Sequence, residues 1–139
     1  MADLVIDPKQ VVLVRADQAV LITLPSGGSV VAGQAVRAGA GGEWEPADAS
    51  AAATLTGAAI AARSAEYAGA AVTCVKRGYL DVGDALAGLA FGATVYFSDN
   101  AGMLSDTPGT VSKPASAVVP ALGDVALSAQ KLLFVDIEG

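Results

Sequence analysis

Turn-forming residues interrupt this 139-residue chain at short and regular intervals. From Val30 onwards, glycine, proline, asparagine and aspartate recur at roughly the 8–12-residue spacing that separates short antiparallel strands. The glycines concerned are Gly33, Gly39, Gly41, Gly42, Gly57, Gly69, Gly78, Gly83, Gly92, Gly102, Gly109 and Gly123. Because segments this short favour strands over long helices, the sequence predicts an all-β fold, a small barrel or sandwich of short antiparallel strands.

The strongest strand signals are runs rich in β-branched and aromatic residues, at 70–82, 93–97 and 131–137. Residues 11–25 have the same character but are broken in the middle, so they predict either a hairpin or one long kinked strand. We expect residues 1–10 to form an extended N-terminal arm and residues 11–139 to form a single β domain.

One alanine-rich stretch, residues 46–70, has high helix propensity. Gly57 lies in its middle and would cost a helix about 1 kcal/mol relative to alanine. We therefore expect a loop or one short helix over 47–54, followed by a strand near 57–63. A continuous helix over 48–62 is the alternative.

The chain contains two segments of similar rhythm, residues 30–80 and residues 89–139. At an offset of 59 residues the aligned pairs are Gly33 with Gly92, Val36 with Val95 and Trp44 with Met103. Identity between the segments is sparse. The pattern fits either an internal duplication or successive strands of one barrel that simply look alike.

Small side chains dominate the apolar part of the composition. The chain has 30 alanines and only seven aromatic residues, although 53% of its residues are hydrophobic. Burial stabilises by roughly 25 cal/mol per Å² of apolar surface, so small side chains give a lone monomer a thin core. Burial between subunits would help, and the single tryptophan, Trp44, is predicted to anchor either the core or a subunit interface. We take it as the candidate interface anchor.

The net charge of −6 is concentrated in the second half of the chain, where residues 81–139 carry seven acids and two lysines. An acidic surface repels phosphate backbones, so we expect no direct binding to nucleic acid. The longest uncharged run, Gln18–Val36, contains a proline and several polar residues, so no membrane span is expected. No signal peptide is recognisable, and a lone cysteine fits a reducing compartment.

The residues needed for most catalytic or metal sites are missing from the sequence. The chain has no histidine, which is the commonest general base and metal ligand. The one cysteine, Cys74, is predicted to be a small buried apolar residue on a strand rather than a reactive thiolate. The segment "SDNAGMLSD" (98–106) does not have the spacing of a calcium loop and is predicted to be a hairpin turn. We therefore expect no enzyme activity, no metal and no cofactor.

Residues 57–109, "GAAIAARSAEYAGAAVTCVKRGYLDVGDALAGLAFGATVYFSDNAGMLSDTPG", carry a resemblance to a known family. The pieces are a strand at Gly57–Ala62, a second at Gly69–Val75, a turn at Gly78, a hairpin from Gly92 to Leu104 and a terminal strand at Lys131–Ile137. This order resembles the capsid cement, or head decoration, proteins of tailed bacteriophages. The resemblance covers about the last 80 residues and rests on turn-and-strand rhythm.

The resemblance implies a structural protein of the virion that binds the outer surface of the capsid and stabilises it. Its implied partners are the major capsid protein and further copies of itself, as a homotrimer. It implies a location on the capsid exterior after synthesis in the cytoplasm of the host bacterium. Many such proteins add a strand to the capsid protein through an N-terminal arm, and here Leu4, Val5 and Ile6 are the candidate contact residues. An ordinary frayed terminus is the alternative for this segment.

A different kind of β protein is the second hypothesis, such as a fibre or tail component or a glycan-binding module. Glycan-binding sites use exposed aromatic rings on which sugars stack. The candidate stacking residues are Trp44, Tyr67, Tyr79 and Tyr96.

Overall fold

The computed structural model describes residues 3–14, 19–65, 67–120 and 131–137. Its regular structure consists of ten strands and short 3-10 turns, which confirms the predicted all-β fold. The strands are β1 (Val12–Val14), β2 (Val20–Pro25), β3 (Ala35–Ala38), β4 (Trp44–Pro46), β5 (Ala59–Ala61), β6 (Ala71–Asp81), β7 (Thr94–Phe97), β8 (Leu104–Ser105), β9 (Pro114–Pro120) and β10 (Lys131–Asp136). The 3-10 turns are Pro8–Gln10, Ala52–Leu55 and Gly83–Leu86. All strand pairs are antiparallel, and the sheet is curled.

Strand β6 is the longest strand, and four others pair with it directly. Along one edge, β1 pairs with residues 79–81 and β2 pairs with residues 71–77. Along the opposite edge, β10 and β5 pair with successive parts of β6 in the same way. β1 and β2 therefore run in the same direction along one edge of β6 and do not pair with each other, which agrees with the kinked-strand alternative and not with a hairpin.

Gly78 divides β6 into its two halves. Its φ of +152° is a conformation that side chains rarely adopt, and an added Cβ would lie 3.0 Å from the Cβ of Ala19. Glycine permits this backbone conformation and the close approach of Ala19 together. Near Gly78 the partners of β6 change from β2 and β5 to β1 and β10, while β6 itself continues.

The strand order β4-β3-β5-β6-β10-β9-β7-β8 reads as a mirrored sequence of equivalent strands. In the first half, the hairpin β3–β4 is followed by β5, which pairs with β3 and with the central strand β6. In the second half, the hairpin β7–β8 is followed by β9, which pairs with β7 and with the central strand β10. The registers differ by two residues. Val36 pairs with Ala59, whereas Val95 pairs with Ser116 and not with Val118, the residue that the 59-residue offset aligns with Ala59. Gly33 and Gly92, which precede β3 and β7, have nearly the same φ, +87° and +85°.

At the junction of β6 and β10, Arg77 lies opposite Asp136 in the strand register, and these two positions are aligned with each other at the 59-residue offset. Pairing in the two hairpins differs from the sequence alignment by one residue. Ala38 aligns with Phe97 at the 59-residue offset. Trp44 pairs with Ala38, and Leu104, not Met103, pairs with Phe97.

Two clusters of buried apolar residues lie on opposite faces of the curled sheet. The smaller cluster is enclosed where the sheet curls so far that the end of β2 meets β4, with a bridge between Ser26 and Trp44. Its buried members are Val30, Val36, Trp44, Ala59, Ala61, Ala65, Val72 and Cys74. The larger cluster is formed by the other face of β6 together with β7–β10 and includes Ile60, Val75, Leu80, Phe97, Leu104, Leu133 and Val135. β6 contributes to both clusters because alternate residues of a strand point to opposite faces.

Trp44 is a core residue of the smaller cluster. Only 1% of its surface is exposed within the single chain, and its indole N–H donates a 2.9 Å hydrogen bond to the carbonyl oxygen of Val72. The indole therefore has no free face for a second subunit or for a sugar. This placement corrects its assignment as an interface anchor: in so alanine-rich a chain, the one large ring is needed to fill the barrel.

The alanine-rich stretch, residues 46–70, is interrupted at its central glycine and does not form one helix. A 3-10 turn covers Ala52–Leu55, Gly57 has φ +64°, and β5 begins at Ala59. The loop with a short helical turn and the following strand are confirmed, and the continuous helix over 48–62 is not formed. Close packing explains this outcome, because Ala59, Ile60 and Ala61 are fully buried between β3 and β6, where small side chains let the strands and both cores fit together.

Replacing Trp44 tests its role in the core. We expect Trp44→Phe to lower the free energy of unfolding by about 2–4 kcal/mol, because it leaves a cavity and a buried carbonyl without its donor. Denaturant unfolding measures the loss. The control is Tyr67→Ala, a larger truncation at a side chain that is 70% exposed, which should change stability by less than about 0.5 kcal/mol. Equal losses in the two variants would contradict the assignment.

Candidate interaction surface

The N-terminal segment lies against its own domain in this structure. Asp3 forms an antiparallel bridge with Ser105, and the Leu4 amide donates a 2.8 Å hydrogen bond to the carbonyl oxygen of Leu104. Residues 3–6, which we call the N-terminal strap, thereby extend the sheet beyond β8. Within the predicted arm of residues 1–10, the strap lies along a sheet edge of its own chain, and Pro8–Gln10 form a 3-10 turn instead of continuing an extended arm.

The carboxylate of Asp3 holds the strap to the β7–β8 turn. Its Oδ1 accepts a hydrogen bond from Ser98 Oγ and its Oδ2 accepts one from Asn100 Nδ2, both at 2.6 Å. Ser98 is completely buried, and its hydroxyl oxygen also accepts the amide of Asn100. Hydrogen bonds to an ionised carboxylate are stronger than those between neutral groups, so Asp3 is the main polar attachment of the strap.

The three candidate contact residues of the strap have different environments. Leu4 is 8% exposed and packs in the larger core, whereas Val5 is 85% exposed. Ile6 is half-buried and covers Gly33, whose missing side chain leaves room for it. Only Val5 is fully presented to a partner while the strap is docked, and Leu4 serves the core instead.

Exposed apolar side chains gather on one face around the strap. One groove, of about 280 Å³, is lined by Val5, Ile6 and Val31, and a second, of about 560 Å³, is lined by Val11, Val12 and Leu21. The two grooves adjoin over Gly33, because the side chains of Ile6 and Val11 both meet there. We call this surface the apolar face; it consists of Val5, Ile6, Val11, Val12, Leu21 and Val31.

The apolar face is also poor in charge. Of the described residues that line the two grooves, only Arg63 is charged, although the whole chain carries a net charge of −6. Val12 is 50% exposed and Leu21 is 39% exposed, which is unusual for large aliphatic side chains that lie side by side. A surface with these properties can bind another protein without desolvating carboxylates.

Sequence reasoning missed most of this face. Val12 and Leu21 belong to runs that predict strands, but the sequence does not say that both strands lie on the same outer edge of β6. The available signal was the uncharged run Gln18–Val36, which contains Leu21 and Val31 and was used only to exclude a membrane span.

The proposed sugar-stacking aromatics do not form a platform. Trp44 is buried, and Tyr79 on β6 and Tyr96 on β7 are separated by the two strands β10 and β9. Tyr79 packs against Phe134 with ring centroids 4.9 Å apart. Of the four candidates, only Tyr67 has a largely exposed ring.

Residues 98–103 form the turn of the hairpin between β7 and β8, as predicted for this segment. The Asp99 carboxylate accepts hydrogen bonds from the amide and the hydroxyl of Thr110, both at 2.8 Å, and the Asn100 side chain donates to Asp3. These side chains therefore fix the turn and the strap. Among the described residues, no group of three or more acidic or cysteine side chains is placed to hold a metal ion.

Cys74 is fully buried in the smaller cluster, as its predicted apolar role requires. Burial raises the pKa of the thiol from 9.0 to about 12, because the thiolate would lose its hydration. The nearby bases do not lower it. The thiol is therefore protonated and unreactive at neutral pH.

None of the described helical segments has the length and hydrophobicity needed to cross a bilayer. Comparison of the chain with known proteins found no matching family model, no matching curated protein and no matching solved structure.

The raised pKa of Cys74 makes stability depend on alkaline pH. Between pH 9 and about 12 the unfolded chain ionises this thiol while the folded chain keeps it protonated, so unfolding becomes easier as pH rises. We expect the stability of the wild-type protein to fall relative to Cys74→Ala by about 1.4 kcal/mol per pH unit in this window. Urea unfolding of both proteins at pH 8 and at pH 10.5 measures the change. A difference that stays constant with pH would show that the thiol is not desolvated.

Proposed function

We propose that this protein is a bacteriophage decoration protein that binds the outer surface of the capsid and stabilises it. The observation that carries the proposal is the apolar face, where exposed aliphatic side chains of the strap, β1 and β2 adjoin. Exposed apolar patches of this kind mark sites of protein association. The strand-and-turn pattern that resembles phage cement proteins supports the same assignment.

The architecture suits a protein that works by adhesion. Short strands paired through one long central strand give a stiff domain, and a decoration protein needs stiffness and contact area rather than a reactive group. The major capsid protein is the proposed partner on the apolar face. Self-association as a homotrimer is part of the proposal, since it would add burial to a chain rich in small side chains. The site of action is the virion exterior, after synthesis in the bacterial cytoplasm.

Binding to undecorated, expanded phage heads tests the proposal. The purified protein should saturate the heads at a copy number fixed by the capsid symmetry, measured by sedimentation and quantitative gel analysis. We expect the double variant Val12→Asp/Leu21→Asp to bind at least tenfold more weakly, because two carboxylates would have to be desolvated at the interface.

The control adds one carboxylate outside the apolar face, against two in the double variant. Tyr67→Asp changes a side chain that is 70% exposed and should bind like the wild-type protein. Circular dichroism verifies that all three proteins are folded. If no expanded head binds the wild-type protein, or if both charged variants bind equally well, the proposal is wrong.

The hypothesis of a glycan-binding module has less support. Sugars stack on adjacent exposed rings, and of the four candidates Trp44 is buried while Tyr79 is covered in part by Phe134. No described observation favours a fibre or tail component over a decoration protein.

A further inference from the structure

The site occupied by the strap has the composition of a peptide-binding site. It offers an edge of β8, where the Leu104 carbonyl accepts the Leu4 amide. It also offers two hydrogen-bond donors for a carboxylate, the Ser98 hydroxyl and the Asn100 amide. A socket in the larger core receives the Leu4 side chain.

Departure of the strap without replacement would remove the acceptor of the Ser98 hydroxyl and the cover of the apolar socket. The Ser98 hydroxyl is completely buried and donates to Asp3, and buried polar groups without partners are strongly disfavoured. An emptied socket would also expose core side chains such as Leu104. The site therefore favours permanent occupation by an extended segment that has an aspartate followed by a large aliphatic residue.

The connection between strap and domain is narrow and already extended. Asp7 has φ −80° and ψ 115°, and Pro8 after it disfavours a helical conformation at Asp7. The body of the domain resumes at the 3-10 turn Pro8–Gln10, where the Asp7 carboxylate accepts the Lys9 amide. Rotation near Asp7 would thus redirect the strap as a unit without changing any strand of the domain.

We propose that the strap site is a receptor for extended Asp-Leu segments and that its second occupant is the strap of another copy of this chain. The strap of a second copy brings the same carboxylate, amide and leucine to the same partners, so exchange creates no unsatisfied group. The charge-poor apolar face beside the site lets two copies of a protein with net charge −6 approach there. The strap in its own chain competes at an effective concentration of about millimolar, so exchange should increase with protein concentration.

Disulfide trapping between two different chains tests the exchange. The antiparallel register that pairs Asp3 with Ser105 places Val5 opposite Met103, and both line the same groove. One chain carries Val5→Cys, and the other is isotope-labelled and carries Met103→Cys. Under mild oxidation at high protein concentration we expect a covalent heterodimer, identified by mass spectrometry. Cys74 is fully buried and should not take part.

Three controls make the result interpretable. Adding Asp3→Ala to the Val5→Cys chain should reduce the heterodimer several-fold, because the carboxylate that holds the strap is gone. Replacing Met103→Cys by Tyr67→Cys measures random collision at an exposed site. The double variant Val5→Cys/Met103→Cys at high dilution should form an intrachain disulfide. If the intrachain disulfide forms but the heterodimer does not exceed the level set by random collision, strap exchange is wrong. If neither disulfide forms, the strap site itself is wrong.

A peptide experiment tests the receptor separately. In the full chain carrying Leu4→Ala, the strap is weakened, and a peptide of residues 2–7 should shift the NMR signals of the Ser98, Asn100 and Leu104 amides. The same peptide with Asp3→Ala should not shift them. Absence of any shift with the unmodified peptide would overturn the receptor. Neither experiment uses capsids, so its failure is distinguishable from failure of the proposed function.

Discussion

Strand β6 pairs with four other strands, and this single constraint determines the rest of the structure. Its two halves have different partners, β2 and β5 in the first half and β1 and β10 in the second, so each half has a neighbour on both edges. Side chains on its alternate faces enter different cores, with Cys74 in the smaller and Val75 in the larger. Small residues at the crossing are a physical requirement, since larger side chains on β5 would separate the strands. Ala59 and Ala61 on β5, both fully buried, meet this requirement.

The strap combines a structural role with an exposed surface. Leu4 completes the larger core and Asp3 fixes the β7–β8 turn. The side chain of the next residue, Val5, projects into solvent. Val12 and Leu21 continue this surface along the edge of β6. The larger core and the apolar face are therefore adjacent, and the N-terminal strap contributes to both.

Local patterns predicted the strands and turns well, because glycine spacing and β-branched runs act over a few residues. Gly57 ended the helical alternative through its backbone conformation, and the apolar role of Cys74 followed from its strand. Long-range placement was not predictable. Leu4 is buried by a partner 100 residues away in sequence, and Trp44 is buried because the sheet curls until β2 meets β4. Alternating apolar residues show that a strand has two faces, but not which edge of the sheet it occupies, and so the apolar face went unrecognised.

Because both cores use side chains of β6, their unfolding is coupled. Loss of β5 or β2 from one half of β6 removes a wall of the smaller core, and the same strand then loses the support that orients its other half. Neither core can melt alone, so thermal disruption should proceed in one cooperative step even though the interior is divided in two. In the proposed role on a capsid, such units would reinforce the shell fully up to a sharp limit of temperature or internal pressure and then fail abruptly.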